Sequence, residues 1–406
     1  MALSKNINMD AIIDLLEQGK TYTQIAKRLG CCSRTVGVKI SELRNTDSDL
    51  IKQNVKLAKQ KQRLADLNRI NNKTFREDTR VENAITEYTK ELVNVFTKHK
   101  LPKFAYEKVV FKNHVPTGII HLTDAHFNEL IDLSMNKYDF NIASKRIKLL
   151  VEKSIRHFNA CGIKNVLLAI TGDLMNSDRR LDELLSEATN RSKATFLCVA
   201  ILEQMILDLA KQYNVTIASV VGNESRVGKD VAWEEHASSD NYDFVIFNIL
   251  KLLFRDSSVR FLDGNSIEQV VEVAGQNVLL IHGNQIKGNS VEQSVQKIKG
   301  KYVARNVKID YVLFGHLHSC RIGDTYSRGS SVCGANAYSD GALQLESRAS
   351  QNIHIFYTNG SRDSIRVDLQ NTGKIKGYNI NKELEAYNAK SLSKAKKKVT
   401  ISKVVI

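Results

Sequence analysis

From residue 118 onward, five short apolar runs each end in residues able to hold a cation. Residues 118–122 lead into Thr123-Asp124-Ala125-His126, 166–170 into Thr171-Gly172-Asp173, and 217–221 into Gly222-Asn223-Glu224. Residues 278–281 lead into His282-Gly283, and 311–314 into Gly315-His316-Leu317-His318. Carboxylates and imidazoles together suit Mn²⁺, Mg²⁺, Fe²⁺ or Zn²⁺, and the lack of cysteine in the set argues against a thiolate zinc site. One carboxylate, with its two oxygens, can bridge two such ions ~3.5–4 Å apart, so that both sides of an in-line phosphoryl displacement are stabilised at once. A hydroxide shared by the ions would have its pKa lowered toward neutrality and act as the nucleophile. A lone Asp-x-His or Gly-Asp pair is common by chance. Five clusters in order, each closing an apolar run, are not.

The runs have the length and composition of buried strands. Between them, residues 141–158, 181–213 and 242–254 read as helices. The pattern predicts an α/β (α+β) body with its ligands gathered at the C-terminal edge of a sheet, where open α/β folds place their sites. His121 lies inside the first run and reads as a hydrogen-bonded core residue. Lys287, Lys297, Lys299, Lys301, Arg305 and Lys308 follow the fourth cluster and would form either a DNA groove or an ordinary solvated face.

In this order the clusters resemble the calcineurin-like metallophosphoesterase family, whose motifs run D-x-H, G-D, G-N-H-[DE], H and G-H-x-H. The resemblance covers about residues 117–320 and is specific in four motifs of five. It implies a two-layer β core flanked by helices, with two divalent metal ions, Mn²⁺ foremost. Asp124, His126 and His318 would hold the first ion, Asp173 would bridge, and Asn223, His282 and His316 would hold the second. Within the family, the segments Arg328-Gly329-Ser330-Ser331 and Ser347-Arg348-Ala349-Ser350-Gln351 resemble phage-type members of the nuclease subunit of double-strand-break repair complexes. That likeness implies DNA cleavage in the cytoplasm, in a phage-infected host if the gene is phage-borne, and it brings an ATPase partner subunit into view.

The third motif departs from the family. It reads Gly222-Asn223-Glu224-Ser225-Arg226, without the histidine that normally contacts the scissile phosphate and assists the leaving oxygen. Glu224 is one catalytic candidate for that role, although a carboxylate beside two cations stays ionised and makes a poor acid. Arg226 could offset transition-state charge without donating a proton, and His236 is a further catalytic candidate. An Arg226 merely paired with Glu224, or a weakened turnover, remains open.

The 406 residues are too many for one small domain. Apolar residues at 42% and charged residues at 25% exclude a disordered or fibrous chain. No apolar run approaches the ~20 residues of a membrane span, and no apolar signal core follows Met1. The six cysteines contain no C-x-x-C pair, which reads as free thiols in a reducing cytosol. The net charge of +15 is concentrated at the ends: residues 1–113 hold 22 Lys and Arg against 13 Asp and Glu, and 373–406 hold 9 against 2. Basic ends on a near-neutral body point to a polyanionic partner, DNA first.

Residues 10–44 read as three short helices. Ala26, Gly30 and Val36 have helix-turn-helix spacing, Ser33 would cap the third helix, and that helix would present Arg34, Thr35, Lys39 and Arg44 to DNA. A protein-docking trihelical module has the same apolar pattern. Leu50, Leu57 and Leu64 recur every seven residues, which suits a homodimeric coiled coil or a helical spacer equally. The expected organisation is a helix-turn-helix domain over 1–45, a helical connector over 46–113, the catalytic domain over 114–372 and a basic tail over 373–406. The function it predicts is a two-metal DNA phosphodiesterase. The alternatives are a DNA-binding regulator with a weakened phosphoesterase body, or a small-molecule phosphatase or phosphodiesterase.

Overall fold

The structure, a computed structural model, describes residues 7–42, 116–230, 233–234, 238–286, 290–336, 339 and 347–392, with isolated positions between 56 and 94. Arg44, His236, Leu50 and most of the expected connector lie outside the described residues. The chain divides into two compact units, Met1–Val93 and Asn94–Ile406.

In the first unit, helices Met9–Glu17, Tyr22–Leu29 and 33–42 surround Ile12, Leu15, Ile25, Ala26, Val36 and Ile40. Gly30 ends the second helix at φ +65°, a left-handed conformation that glycine adopts without a Cβ penalty. Ser33 is already helical, so the cap position falls on Cys32, whose carbonyl accepts the Thr35 and Val36 N–H groups. Arg34 is exposed, whereas Lys39 Nζ pairs with Glu42 at 3.0 Å. Thr35 Oγ1 lies 3.0 Å from Cys32 Sγ. Leu57 and Leu64 are exposed on helical residues.

The second unit is α/β, a two-layer β core flanked by helices. One sheet has the order β13-β12-β1-β4-β5-β6, in which β1 (Thr117–Leu122), β4 (Asn165–Ile170), β5 (Asn214–Ser219) and β6 (Arg260–Phe261) run parallel. β12 (Ser350–Phe356) and β13 (Arg362–Asp368) close one side antiparallel. The other sheet has the order β10-β11-β9-β8-β7, in which β8 (Gln276–Ile281), β9 (Tyr311–Phe314) and β11 (Tyr326–Arg328) are parallel. β7 (Glu268–Val273) and β10 (Arg321–Ile322) lie at its edges, and β2 (Ile131–Asp132) pairs with β3 (Lys137–Tyr138) in a small separate antiparallel sheet.

The inner faces meet through Ile119, Leu167 and Ala218 on one side and Val271, Val278, Leu280 and Leu313 on the other. Strands buried on both faces read as continuous apolar runs rather than alternating ones, which is why the sequence displayed them so plainly. Helices Phe140–Ala160 and Arg191–Ala210 have Asp139 and Asn190 as side-chain N-caps. The expected helix over 181–213 is instead two, Leu181–Leu185 and Arg191–Ala210. The break follows from pairing: Ser186 O accepts Leu130 N–H and Ala188 N–H donates to Asn128 O, so residues 186–188 bond to the loop after β1 rather than to a helix.

Residues 373–392, the start of the expected basic tail, pack onto this unit. Ser391 Oγ donates to Asp139 Oδ2 at 2.8 Å, Lys390 N–H donates to Ala188 O, and the Tyr387 ring stacks on Phe196. Three of the basic residues after the fourth cluster are paired locally, Lys301 and Arg305 with Glu268 and Lys308 with Asp310, whereas Lys287 lies outside the described residues. No helix among the described residues is long and apolar enough to cross a membrane.

Candidate active site

The loops after β1, β4, β5, β8 and β9 meet at one edge of the sandwich. Asp124 N–H donates to Gly172 O and His126 N–H to Asp173 O, which zips the first two loops together. Two glycines permit the closest approaches. A Cβ on Gly222 would overlap the Asp173 carboxylate, and one on Gly315 would overlap the Asp124 carboxylate and Thr123 Oγ1. Nine non-glycine residues among those described have positive φ, and five of them are Asp124, His126, Asp173, His316 and His318. Such conformations cost on the order of 1 kcal/mol each and persist where the surroundings enforce them, typically at functional sites.

The side chains form two groups, Asp124/His126/His318 and Asp173/His282/His316, each with ligand atoms within 4.8 Å of one another. In the first, His126 Nε2 lies 3.0 Å from His318 Nε2, and His318 Nε2 lies 3.3 Å from Asp124 Oδ1. Thr123 Oγ1 and the His316 N–H donate to the Asp124 carboxylate and fix its plane. In the second, His282 Nε2 is 2.9 Å from both Asp173 Oδ2 and Asn223 Oδ1. His282 Nδ1 is 2.8 Å from Thr171 O, which only accepts, so Nδ1 carries a hydrogen and Nε2 is the ring atom that faces the two oxygens. Electron-pair donors converging on one point suit a divalent cation, so the residues present fit the metal pair that the motifs imply.

The electrostatics agree. Burial would raise Asp173, but His282 and then His126 outweigh it and hold its carboxyl below the usual range. Burial would lower His282, but the Asp173 carboxylate raises it to about 10. His316 is pushed down to about 4 by burial and the charge of His282. Asp173 thus acts on members of both groups.

The third motif is resolved in unexpected detail. Glu224 Oε1 accepts from Asn223 Nδ2, and Glu224 Oε2 accepts from Arg179 Nη2 at 2.7 Å. Glu224 lines a cavity of about 580 Å³ together with His126, Asp173, His316 and His318. The Arg226 guanidinium instead donates to the carbonyls of Asn223 and Lys229 and borders a separate hollow. Glu224 is paired with Arg179, not with Arg226.

Sequence reasoning missed three residues. Asp243, fully buried, accepts the N–H groups of Asp173, Leu174 and Gly222 at 2.9, 3.0 and 2.8 Å and so ties two ligand loops together. Gln351 accepts Thr123 N–H and donates to the carbonyls of Thr123 and Ser330. Arg179 holds Glu224. Asp243 and Arg179 stand in no motif, and Gln351 closes the segment Ser347–Gln351 without a bonding role having been read for it. Only the cap sequence Asn241-Tyr242-Asp243, where the Asn241 side chain accepts Asp243 N–H, marks a special turn. His121 is buried, as read, with Nε2 2.8 Å from Thr171 Oγ1.

No family model and no curated protein matches the chain. Solved structures similar to it include Vps29 complexed with Zn²⁺ from Entamoeba histolytica, at 13% identity over 62% of this chain and 99% of that one, with a TM-score of 0.28. A predicted phosphoesterase from Streptococcus pneumoniae TIGR4 aligns at 12% identity over 62% and 98%, with a TM-score of 0.23. The 5′-nucleotidase from Candida albicans SC5314 aligns at 10% identity over 73% and 57%, with a TM-score of 0.27. At such scores the geometry of the chain itself must bear the functional reading.

Proposed function

We propose that the chain is a two-metal phosphodiesterase of the calcineurin-like metallophosphoesterase type and that its substrate is DNA. The observation that carries this reading is the convergence of seven oxygen and imidazole donors, from five strand ends, into two adjacent groups. Asp124, His126 and His318 would hold one cation, His282, His316 and Asn223 the other, and Asp173 would serve both. When bound, such a pair supplies Lewis acidity toward the phosphoryl oxygens and an activated water. The chain's own contribution is to present these donors already oriented, through Thr123 on Asp124, Thr171 O on His282 and Glu224 on Asn223. The donor set, free of sulfur, accommodates Mn²⁺, with Mg²⁺, Fe²⁺ and Zn²⁺ as competitors.

DNA is favoured over a small phosphoester by the basic first and last segments of the sequence and by the exposed Arg34 on the third helix. Cleavage assays on linear and circular, single- and double-stranded DNA, with and without Mn²⁺, test the reading. Mn²⁺-dependent loss of DNA that EDTA abolishes is expected. Hydrolysis of bis(p-nitrophenyl) phosphate with every DNA left intact would move the substrate to the small-molecule class.

A further inference from the structure

The hollow bordered by Arg226 is a second cavity, of about 750 Å³, a size at which small-ligand sites are commonly found. Gly222, Asn223 and Asn284 line it, so it adjoins the second ligand group through Asn223 and through the loop that follows His282. Glu224, the next residue along, lines the 580 Å³ cavity instead. The two cavities therefore flank one strand end, with the candidate metal ligands between them.

Trp233, the single tryptophan of the chain, stands in the wall of the 750 Å³ hollow. Its side chain is 51% exposed, although tryptophan is highly buried on average. The backbone at both ends of the segment that carries it is pinned. Arg226 and Asn241 form an antiparallel bridge, Val227 N–H donates to Asp240 O at 3.1 Å, and Tyr242 N–H donates to Ser225 O at 2.9 Å. Arg226 Nη2 donates to Lys229 O at 2.9 Å, and Asn241 Nδ2 donates to Gly222 O at 2.8 Å. The wall is thus built onto the same backbone that presents Asn223.

Charge indicates what the hollow would take. Its charged side chains balance, Arg226 and Lys229 against Asp230 and Asp240, so a phosphate gains little net attraction there. A nucleobase is uncharged, offers a flat face to an indole, and carries edge donors and acceptors for polar groups such as Asn284. A phosphodiester has two ester arms, and the site has a cavity on each side of the Asn223–Glu224 pair. We propose that the 750 Å³ hollow receives the nucleobase on one arm of the substrate, stacked on Trp233. This rests on the phosphodiesterase reading and deepens it: the diester bears a base, and the base is recognised by its face, with little regard to sequence.

The lone tryptophan allows a direct test, because its fluorescence reports this wall and no other part of the chain. The full chain in Mg²⁺ is titrated with 2′-deoxyadenosine 5′-monophosphate and with 2-deoxyribose 5-phosphate, which lacks the base, and affinities are read by calorimetry. The nucleotide should change the emission to saturation and bind about tenfold more tightly than the sugar phosphate, which should leave the emission unchanged. Trp233→Ala should bring the two affinities together, whereas Trp233→Phe, which keeps an aromatic face, should retain most of the preference. Four results overturn the subsite: no binding of the nucleotide, unchanged emission at calorimetric saturation, equal native affinities for the two ligands, or a preference that survives in Trp233→Ala. Hydrolysis of bis(p-nitrophenyl) phosphate by the native protein is measured in parallel. If that is absent with every metal, the phosphodiesterase reading fails, while the fluorescence titration still decides the base subsite.

Discussion

Asp243→Asn removes one charge and almost no volume, and the structure lets its consequence be worked out. The carboxylate receives three backbone N–H groups, two at Oδ2 from Asp173 and Gly222 and one at Oδ1 from Leu174. An asparagine would keep its oxygen on the first two and turn its NH₂ toward the Leu174 N–H, donor against donor. One hydrogen bond to a charged acceptor, worth roughly 1.5–3 kcal/mol, is lost and the other two weaken. Against that, the neutral amide escapes burial and the repulsion of Asp173, the two influences that raise the Asp243 pKa. A net cost of about 2 kcal/mol remains, which lowers Tm by roughly 3–5 °C in a unit of this size. The loops bearing Asp173 and Asn223 would lose their common tie, so affinity for the second cation should fall about 10–100-fold, the usual effect of removing a group that orients ligands. The first group, anchored by Thr123 and Gln351, should be affected less. Thermal melts and calorimetric Mn²⁺ titration of native and variant protein read both numbers. Unchanged Tm with two unchanged binding steps would refute the claim that Asp243 sets the geometry of the site.

Further outcomes follow from the same coordinates. Glu224→Ala should weaken the second cation about tenfold by freeing the Asn223 amide, measured by Mn²⁺ titration; a larger loss for Arg226→Ala would contradict the observed contacts. Burial holds His121 at about 4 and His354 at about 3. Their stabilising contribution is therefore complete above the unfolded value of about 6.5 and is lost as pH falls toward 4, by up to about 1.4 kcal/mol per unit for each. Urea titrations at pH 7 and pH 5 should show the decline, and His354→Gln should flatten it. Deleting residues 1–45 should weaken duplex DNA binding and flatten its salt dependence, because fewer counterions are released; equal affinity at every salt concentration would make the first three helices a protein-docking module.

The strands and the ligand clusters were legible because doubly buried parallel strands are written as uninterrupted apolar runs, and each run ends where the chain must turn polar. The predicted run over 311–314 coincides with β9, and the others differ at their ends by a few residues. What the pattern hid was pairing at a distance. Residues 186–188 break a helix because they bond to residues 128 and 130, a contact about sixty positions away that no local propensity encodes. Asp243 and Gln351 likewise act through backbone atoms of loops far from them in sequence. Arg179, beside the plain polar run Asn176-Ser177-Asp178, gave no sign that it would meet Glu224, so the motif's altered position pointed first to its near neighbour Arg226.

In the proposed site one bridging carboxylate, Asp173, and six further donors hold two divalent cations. This is tested most directly by elemental analysis of the full chain after loading with Mn²⁺ and removal of excess metal. Two equivalents per native chain are expected and, for Asp173→Ala with an unchanged circular dichroism spectrum, loss of most of that metal. A native chain that retains no Mn²⁺ after loading, or an Asp173→Ala variant that still retains two equivalents, would contradict it.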